Sequence, residues 1–268
     1  MRLGMIQFEP RLGQIAANTE RVLGLLQNAP SADLWVLPEL ASSGYAFGSR
    51  EAAYAAAETL DNSSYLLALQ EWARSSGSWV VTGFNERSGD LLYNSAVLLG
   101  PSGQKGLYRK LHLFLDEQNF FTPGNLGLPV FDTPWGKLGM LVCFDWMFPE
   151  VWRLLALEGV QLMAHPSNLV LPWCQTAMPG YALTNRIFTA TCNRVGAEGG
   201  LHFTGQSLLV SPTGEALLRG SGDQEEVLVA EVDWQAASDK AITSRNNAFG
   251  DRRTAVYGIE IKASGEQK

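Results

Sequence analysis

The sequence predicts an α/β protein layered on mixed β-sheets, and three observations carry that prediction. Short β-like runs alternate with helical periodicity along the chain. Several strand pairs are joined only by turn-length segments, such as Pro101-Ser102-Gly103 and Thr133-Pro134-Trp135-Gly136, which a purely parallel sheet does not allow. The chain has 268 residues, of which 46% are hydrophobic, enough for a sizeable core. No long Pro-rich or Gly/Ser-rich linker divides it. One domain over residues 1–268 is therefore expected, with a core to about residue 253 and a polar tail, loose beyond Gly258.

The elements follow in order. Residues 2–8 alternate as a first strand. Asn18 is placed to cap a helix carrying Val22, Leu25 and Leu26 on one face. Leu34–Leu37 is a buried strand that Pro38 ends, and a Gly-containing loop spans Ala41–Ser49. Residues 51–59 are Ala-rich and helical. Residues 64–75 carry Leu66, Leu67, Leu69 and Trp72 and close on Gly77. Strands are expected at Trp79–Phe84, Asn94–Leu99 and Gly106–Lys110, with a hairpin inside Phe131–Val142. A helix runs from Val151 to a Gly159 cap, then a strand over Val160–Ala164, a helix over 177–186 and a strand over Phe188–Val195. Gln206–Val210 and Val227–Val232 are the last clear strands, with Pro212-Thr213-Gly214 turning between them.

Composition narrows the function classes. The net charge is −7, with no Lys/Arg-rich block, so nucleic acid and anionic membrane are poor partners. The chain opens directly on a strand, without an apolar signal core, and no window approaches the ~20 apolar residues of a membrane span. A cytoplasmic protein is expected. Cys143, Cys174 and Cys192 are odd in number and far apart, which suits a reducing compartment. His112, His165 and His202 show no metal-ligand spacing, so no metal or cofactor is expected. No GxGxxG or GxxxxGK[ST] pattern occurs.

Cys143 is the residue most suggestive of chemistry. It lies where the apolar run Leu138–Val142 meets Phe144–Glu150, with Pro149 suited to the first turn of the next helix. A thiol on such a strand-to-helix turn is exposed at a sheet edge, like the nucleophile of an elbow motif. Nearby helix-start N–H groups favour a thiolate and a developing oxyanion. A buried cysteine that merely packs is the plainer alternative.

Two other polar residues end apolar runs. Glu39, in Leu37-Pro38-Glu39-Leu40, follows a buried strand, where a carboxylate can accept and return a proton. Lys110, in Tyr108-Arg109-Lys110-Leu111-His112-Leu113-Phe114, ends an alternating run, where an inward ammonium would steady an anion. Taken singly, each also reads as an ordinary surface or capping residue.

Together, in this order and in these local sequences, the three segments resemble the nitrilase superfamily of carbon–nitrogen hydrolases. Gly44-Tyr45, Asn94-Ser95-Ala96, His165-Pro166-Ser167-Asn168, Asn185-Arg186 and Asn193-Arg194 extend the likeness from Met1 to about Arg253. The resemblance implies a four-layer α-β-β-α sandwich and a Glu39-Lys110-Cys143 centre without a cofactor. It adds Glu117, beside Asp116, as a second active-site glutamate. It also implies a homodimer, formed across the helices that follow the Cys143 and His165 strands, or a higher homo-oligomer.

The expected substrate is a small-molecule amide or nitrile. Phe144, Trp146, Asn168 and Tyr45 are candidate substrate-binding residues, with Phe120 another possible wall and Cys174 in a loop bordering the pocket. Phe144-Asp145 after the cysteine is nearer the amidase and carbamoylase pattern than the Trp-Glu of plant and fungal nitrilases, though nitrile hydrolysis stays open. A cysteine protease or acyltransferase using His112 or His165 as base, and an inactive ligand-binding relative, are the competing classes.

Overall fold

The computed structural model describes residues 1–261. The elements are β1 (Arg2–Gln7), α1 (Ile15–Asn28), β2 (Leu34–Val36), α2 (Arg50–Ala55), α3 (Ser64–Ser76), β3 (Trp79–Ser88), β4 (Leu91–Leu99), β5 (Lys105–Arg109) and a single turn, α4 (Glu117–Phe120). The second half continues with β6 (Val130–Thr133), β7 (Gly136–Met140), a 3-10 turn (Cys143–Met147), α5 (Pro149–Leu157), β8 (Leu162–Ser167), α6 (Trp173–Asn185) and β9 (Phe188–Asn193). Then come β10 (Ala197–Glu198), β11 (Leu201–His202), β12 (Leu208–Val210), β13 (Ala216–Arg219), β14 (Glu226–Glu231), a 3-10 turn (Trp234–Ala237), β15 (Ala241–Thr243) and β16 (Asn246–Asn247).

Two six-stranded sheets result, in the orders β14-β1-β2-β3-β4-β5 and β13-β12-β9-β8-β7-β6. Each has three parallel strands at its centre, one antiparallel strand on one side and two on the other. The halves therefore repeat one topology, with β1, β2 and β3 matching β7, β8 and β9. The sheets meet face to face, and helices cover both outer faces. This is the α-β-β-α sandwich.

Alternation along the strands builds the layers. Leu3, Met5, Leu34 and Val36 point into the core between the sheets. Ile6 and Trp35 point the other way, against Val22 and Leu26 of α1 and Leu66 and Leu69 of α3. Gly4 leaves room for Trp35, because a Cβ there would come within 2.4 Å of the indole ring. On the second sheet, Trp152 and Leu155 of α5 and Met178 and Ala182 of α6 bury against the strands.

Some expected boundaries move. Helix α1 starts at Ile15, so Asn18 lies inside it rather than capping it. The Asn18 side chain instead ties down two loops, accepting from Arg11 N–H and donating to the carbonyls of Arg11 and Ser42. Helix α2 ends at Ala55, short of the expected residue 59. The Pro212–Gly214 turn leads not to β14 but to β13, a half-buried edge strand whose Ala-Leu-Leu-Arg sequence has no β-branched residue to mark it. Strand β14 crosses to the first sheet and pairs with β1. The expected loose tail lies mostly outside the described residues. Among the described residues, no helix is long and apolar enough to cross a membrane, and no group of three or more His, Cys, Asp or Glu side chains is arranged to hold a metal.

Candidate active site

Strand ends supply the site. Glu39 follows β2, Lys110 follows β5, Cys143 follows β7 and Asn168 follows β8. Clefts beyond the carboxyl ends of parallel strands are the usual ligand positions of open α/β sheets. Gly83 of β3 permits the close approach of the Glu39 turn, since a Cβ there would fall 2.4 Å from the Glu39 Cα.

Only five non-glycine residues have positive φ among those described, and three sit at this place. They are Leu40 (46°), directly after Glu39, Leu115 (47°), two residues before Glu117, and Cys143 itself (43°). Such conformations cost on the order of 1–3 kcal/mol and persist where surrounding contacts impose them.

For Cys143 the constraint comes largely from Asp145, whose carboxylate is fully buried. Its Oδ2 accepts from Val142 N–H at 2.9 Å and from the Tyr108 hydroxyl at 2.7 Å. Its Oδ1 accepts from His112 N–H at 3.2 Å and lies 2.7 Å from His112 Nδ1. His165 braces the other side of the elbow, donating from Nε2 to the Cys143 carbonyl at 2.9 Å while Nδ1 accepts from the Thr191 hydroxyl at 3.0 Å. Burial pushes the His165 pKa down to about 4, which keeps the ring neutral at pH 7.

The charged residues form one buried cluster. Lys110 Nζ donates to Glu39 Oε1 at 2.7 Å and to Glu117 Oε1 at 2.7 Å. Asn94 Nδ2 donates to Glu39 Oε1 at 2.7 Å and reaches Glu117 Oε2 at 3.4 Å. The Tyr45 hydroxyl donates to Glu117 Oε1 at 2.7 Å. Glu39 Oε2 has no hydrogen-bond partner among the described residues. Asp116 is exposed, so Glu117 is the acidic residue of this pair that faces Lys110.

Burial and mutual charge set the protonation states. Burial alone would lower the Lys110 pKa, but the carboxylates of Glu117 and Glu39 outweigh it and hold the pKa above its ordinary value. Lys110 is therefore a permanent cation. Glu117 is pushed up to about 7, by burial first and by Glu39 as a like charge, against the opposing pull of Lys110. The Cys143 thiol is raised well above its ordinary range, again by burial first and then by Glu39 and Glu117, with Lys110 opposing. The expected helix-start stabilisation of a thiolate is thus overridden, because desolvation and two carboxylates outweigh a few partial charges.

A small cavity of about 90 Å³ opens beside the thiol, with Cys143, Phe144, Trp146 and Asn168 in its lining. Phe114, Met147, Val170 and Trp173 also line it. Tyr45 and Phe120 do not; Tyr45 lies buried among Phe47, Phe121 and Phe203, with Phe120 packed against that group, and its hydroxyl serves Glu117. Cys174 is fully buried in α6, and its neighbour Trp173 is the one at the cavity. A larger furrow of about 860 Å³ lies elsewhere, around Glu9, Arg11, Arg21 and Glu225. It is open and holds no nucleophile.

Sequence reasoning passed over Asp145, Tyr108 and His112 as the scaffold of the elbow. Asp145 was in plain view next to Phe144, and a carboxylate at an apolar strand end is its one usable signal. The wall residues Phe114, Met147, Val170 and Trp173 carry no such mark, since isolated apolar residues look alike at a cavity and in a core.

A family model described as carbon-nitrogen hydrolase matches residues 2–240. The chain belongs to the carbon-nitrogen hydrolase family. A nitrilase from Pyrococcus abyssi (strain GE5 / Orsay) is 43% identical to this hydrolase over 259 residues, covering 96% of the chain and 99% of the relative. An (R)-stereoselective amidase from Pseudomonas sp. is 33% identical, covering 98% of the chain and 95% of the relative. A solved mutant of an amidase from Nesterenkonia sp. AN1 superposes with a TM-score of 0.74 at 26% identity, covering 96% of the hydrolase and 98% of that chain. That structure shows acrylamide added to the active-site cysteine of the amidase.

Proposed function

We propose that the hydrolase cleaves the carbon–nitrogen bond of a small amide through a thioester on Cys143, releasing ammonia and a carboxylic acid. The observation that carries this reading is the junction at Glu39. One carboxylate oxygen is fixed by Lys110 and Asn94, and the other is buried and unpartnered among the described residues, on a side chain whose charge acts on the thiol.

In this mechanism Cys143 rests as a thiol, because its environment raises its pKa. Glu39 Oε2 takes the proton as Sγ attacks the amide carbon. The oxyanion is held by a third N–H of Lys110, whose other two go to carboxylates, and by the backbone N–H of Phe144. Glu39 then protonates the departing amine, ammonia leaves and the thioester remains. A water gives its proton to Glu39 and its oxygen to the acyl carbon. The acid departs, and Glu39 returns the proton to sulfur. Two modest barriers replace one high barrier.

The second reading is nitrile hydrolysis, favoured by the name of the Pyrococcus relative. The same centre would form a thioimidate, and two waters would lead to acid and ammonia. A histidine-based mechanism has less support. Both ring nitrogens of His165 are engaged, and His112, held by Asp145 and stacked on Phe148 with ring centroids 3.6 Å apart, is not among the residues that line the cavity at the thiol. The proposal includes a cytoplasmic homodimer, in keeping with three unpaired buried cysteines.

The test is ammonia release from a panel of amides, carbamoyl compounds and nitriles, with Cys143→Ala as control. Ammonia above the control from any amide supports the first reading, and from nitriles alone the second. No ammonia above the control from the whole panel would sink both.

A further inference from the structure

The cavity beside Cys143 is more particular than carbon–nitrogen cleavage requires. Apart from the thiol, none of its lining side chains is ionisable, and its walls include Phe114, Phe144, Trp146, Met147, Val170 and Leu171. The buried charges near the thiol are already paired with one another, Lys110 with Glu39 and Glu117. A substrate charge placed within this lining would lose its hydration and find no free counter-charge.

Asn168 is the one lining side chain, apart from the thiol, that offers a strong acceptor as well as a donor, since the indoles of Trp146 and Trp173 only donate. Its residue is 2% exposed, and neither Nδ2 nor Oδ1 has a hydrogen-bond partner among the described residues. Its position is fixed from behind, since the next residue, Leu169, donates its N–H to Asn193 Oδ1 at 2.8 Å. A buried carboxamide with both its donor and its acceptor open is costly unless something completes it. A ligand group that donates and accepts can do so, displacing solvent without losing hydrogen bonds.

We infer that Asn168 selects an acyl chain that is short and uncharged, with an apolar body and one neutral group able both to donate and to accept, a hydroxyl or a carboxamide. The cavity volume of about 90 Å³ limits the length. At about 10–15 Å³ for each water-sized group, it holds roughly six to nine. The inference rests on the proposed function only in taking this cavity as the acyl site.

The test uses Cys143→Ala, which binds without turnover, and calorimetric titration with four amides of similar size. These are 3-hydroxypropionamide, butyramide, β-alaninamide with its ammonium, and malonamate with its carboxylate. The hydroxy amide is expected to bind about fivefold more tightly than butyramide, the worth of one net hydrogen bond. Both charged amides are expected at least about thirtyfold weaker than butyramide. Adding Asn168→Leu, or Asn168→Ala if the leucine variant folds poorly, should abolish the preference for the hydroxyl.

Binding of either charged amide as tightly as butyramide overturns the inference. So does an unchanged hydroxyl preference in the Asn168 variants, or failure of all four amides to bind. Failure of the hydrolase reading looks different: the neutral amides bind as expected, but the unaltered enzyme releases no ammonia from them.

Discussion

Lys110 holds Glu39 by one carboxylate oxygen only, Nζ to Oε1 at 2.7 Å, and leaves Oε2 without a partner among the described residues. The side chains of both residues are fully buried. The arrangement separates two duties, with one oxygen anchoring the side chain and the other left open for proton transfer. The same ammonium also holds Glu117, so Lys110 keeps two carboxylates together out of water.

Removing that cation leaves both carboxyl groups buried and uncompensated. Lys110→Met is expected to destabilise the fold by about 3–5 kcal/mol, the usual cost of breaking a buried ion pair from one side. It should also remove ammonia release. Lys110→Arg is not a rescue, because a planar guanidinium does not fit where a compact ammonium meets two carboxylates. Urea midpoints read the stability, and a loss under 1 kcal/mol would contradict the arrangement.

Glu39 has opposite effects on the two halves of Cys143 chemistry. As a base it assists attack, yet as a neighbouring negative charge it raises the pKa of the thiol. Glu39→Gln should therefore slow ammonia release by roughly 10²–10⁴-fold while shifting iodoacetamide alkylation of Cys143 to lower pH. Intact-mass measurement of the alkylation rate across pH checks this. A midpoint that stays put, or moves up, contradicts the electrostatic account.

Glu117 titrates near neutrality, at about 7, and the Tyr45 hydroxyl favours its ionised form. Removing that donor with Tyr45→Phe should move the Glu117 limb of the pH–rate profile to higher pH by about one unit. A hydrogen bond to a charged group is worth about 1.5 kcal/mol or more, and one unit corresponds to about 1.36 kcal/mol. A profile lowered uniformly without displacement would mean that Tyr45 acts elsewhere.

The pair Tyr45 and Glu117 also marks where a sequence stops being readable. Glu39, Lys110 and Cys143 each end an apolar run, because a strand buried on both faces leaves a continuous hydrophobic trace up to its polar end. The alternation of strands and helices announced the layers for the same reason. Tyr45 and Glu117 are 72 residues apart, one in a loop and one in a single helical turn. Local pattern records that a residue is buried, but not which residue it meets. Tyr45 accordingly looked like a pocket wall. Strand β13 was missed because a half-buried edge leaves too little pattern. The Cys143 thiol was misjudged because dipoles can be counted from sequence, whereas the depth of burial cannot.

His165 gives a stability test whose sign differs from that of Glu117. Its folded pKa of about 4 lies below its ordinary 6.5, because burial disfavours the imidazolium and both ring nitrogens are committed to Thr191 and Cys143. Between pH 6.5 and 4 the unfolded chain thus binds the extra proton and the folded chain does not. This contribution to stability is full above pH 6.5 and is lost as pH falls toward 4. Glu117, with its folded pKa raised from 4.5 to about 7, favours the folded state at low pH, and that contribution is lost as pH rises through the same region. The two slopes oppose each other in the wild type and separate in variants. Glu117→Gln should steepen the loss of stability on acidification from pH 6.5 to 4.5, and His165→Gln should reverse its sign. Urea midpoints at pH 4.5, 5.5 and 6.5 for the three proteins measure this. Parallel pH curves for the wild type and His165→Gln would show that His165 is not held neutral by the fold.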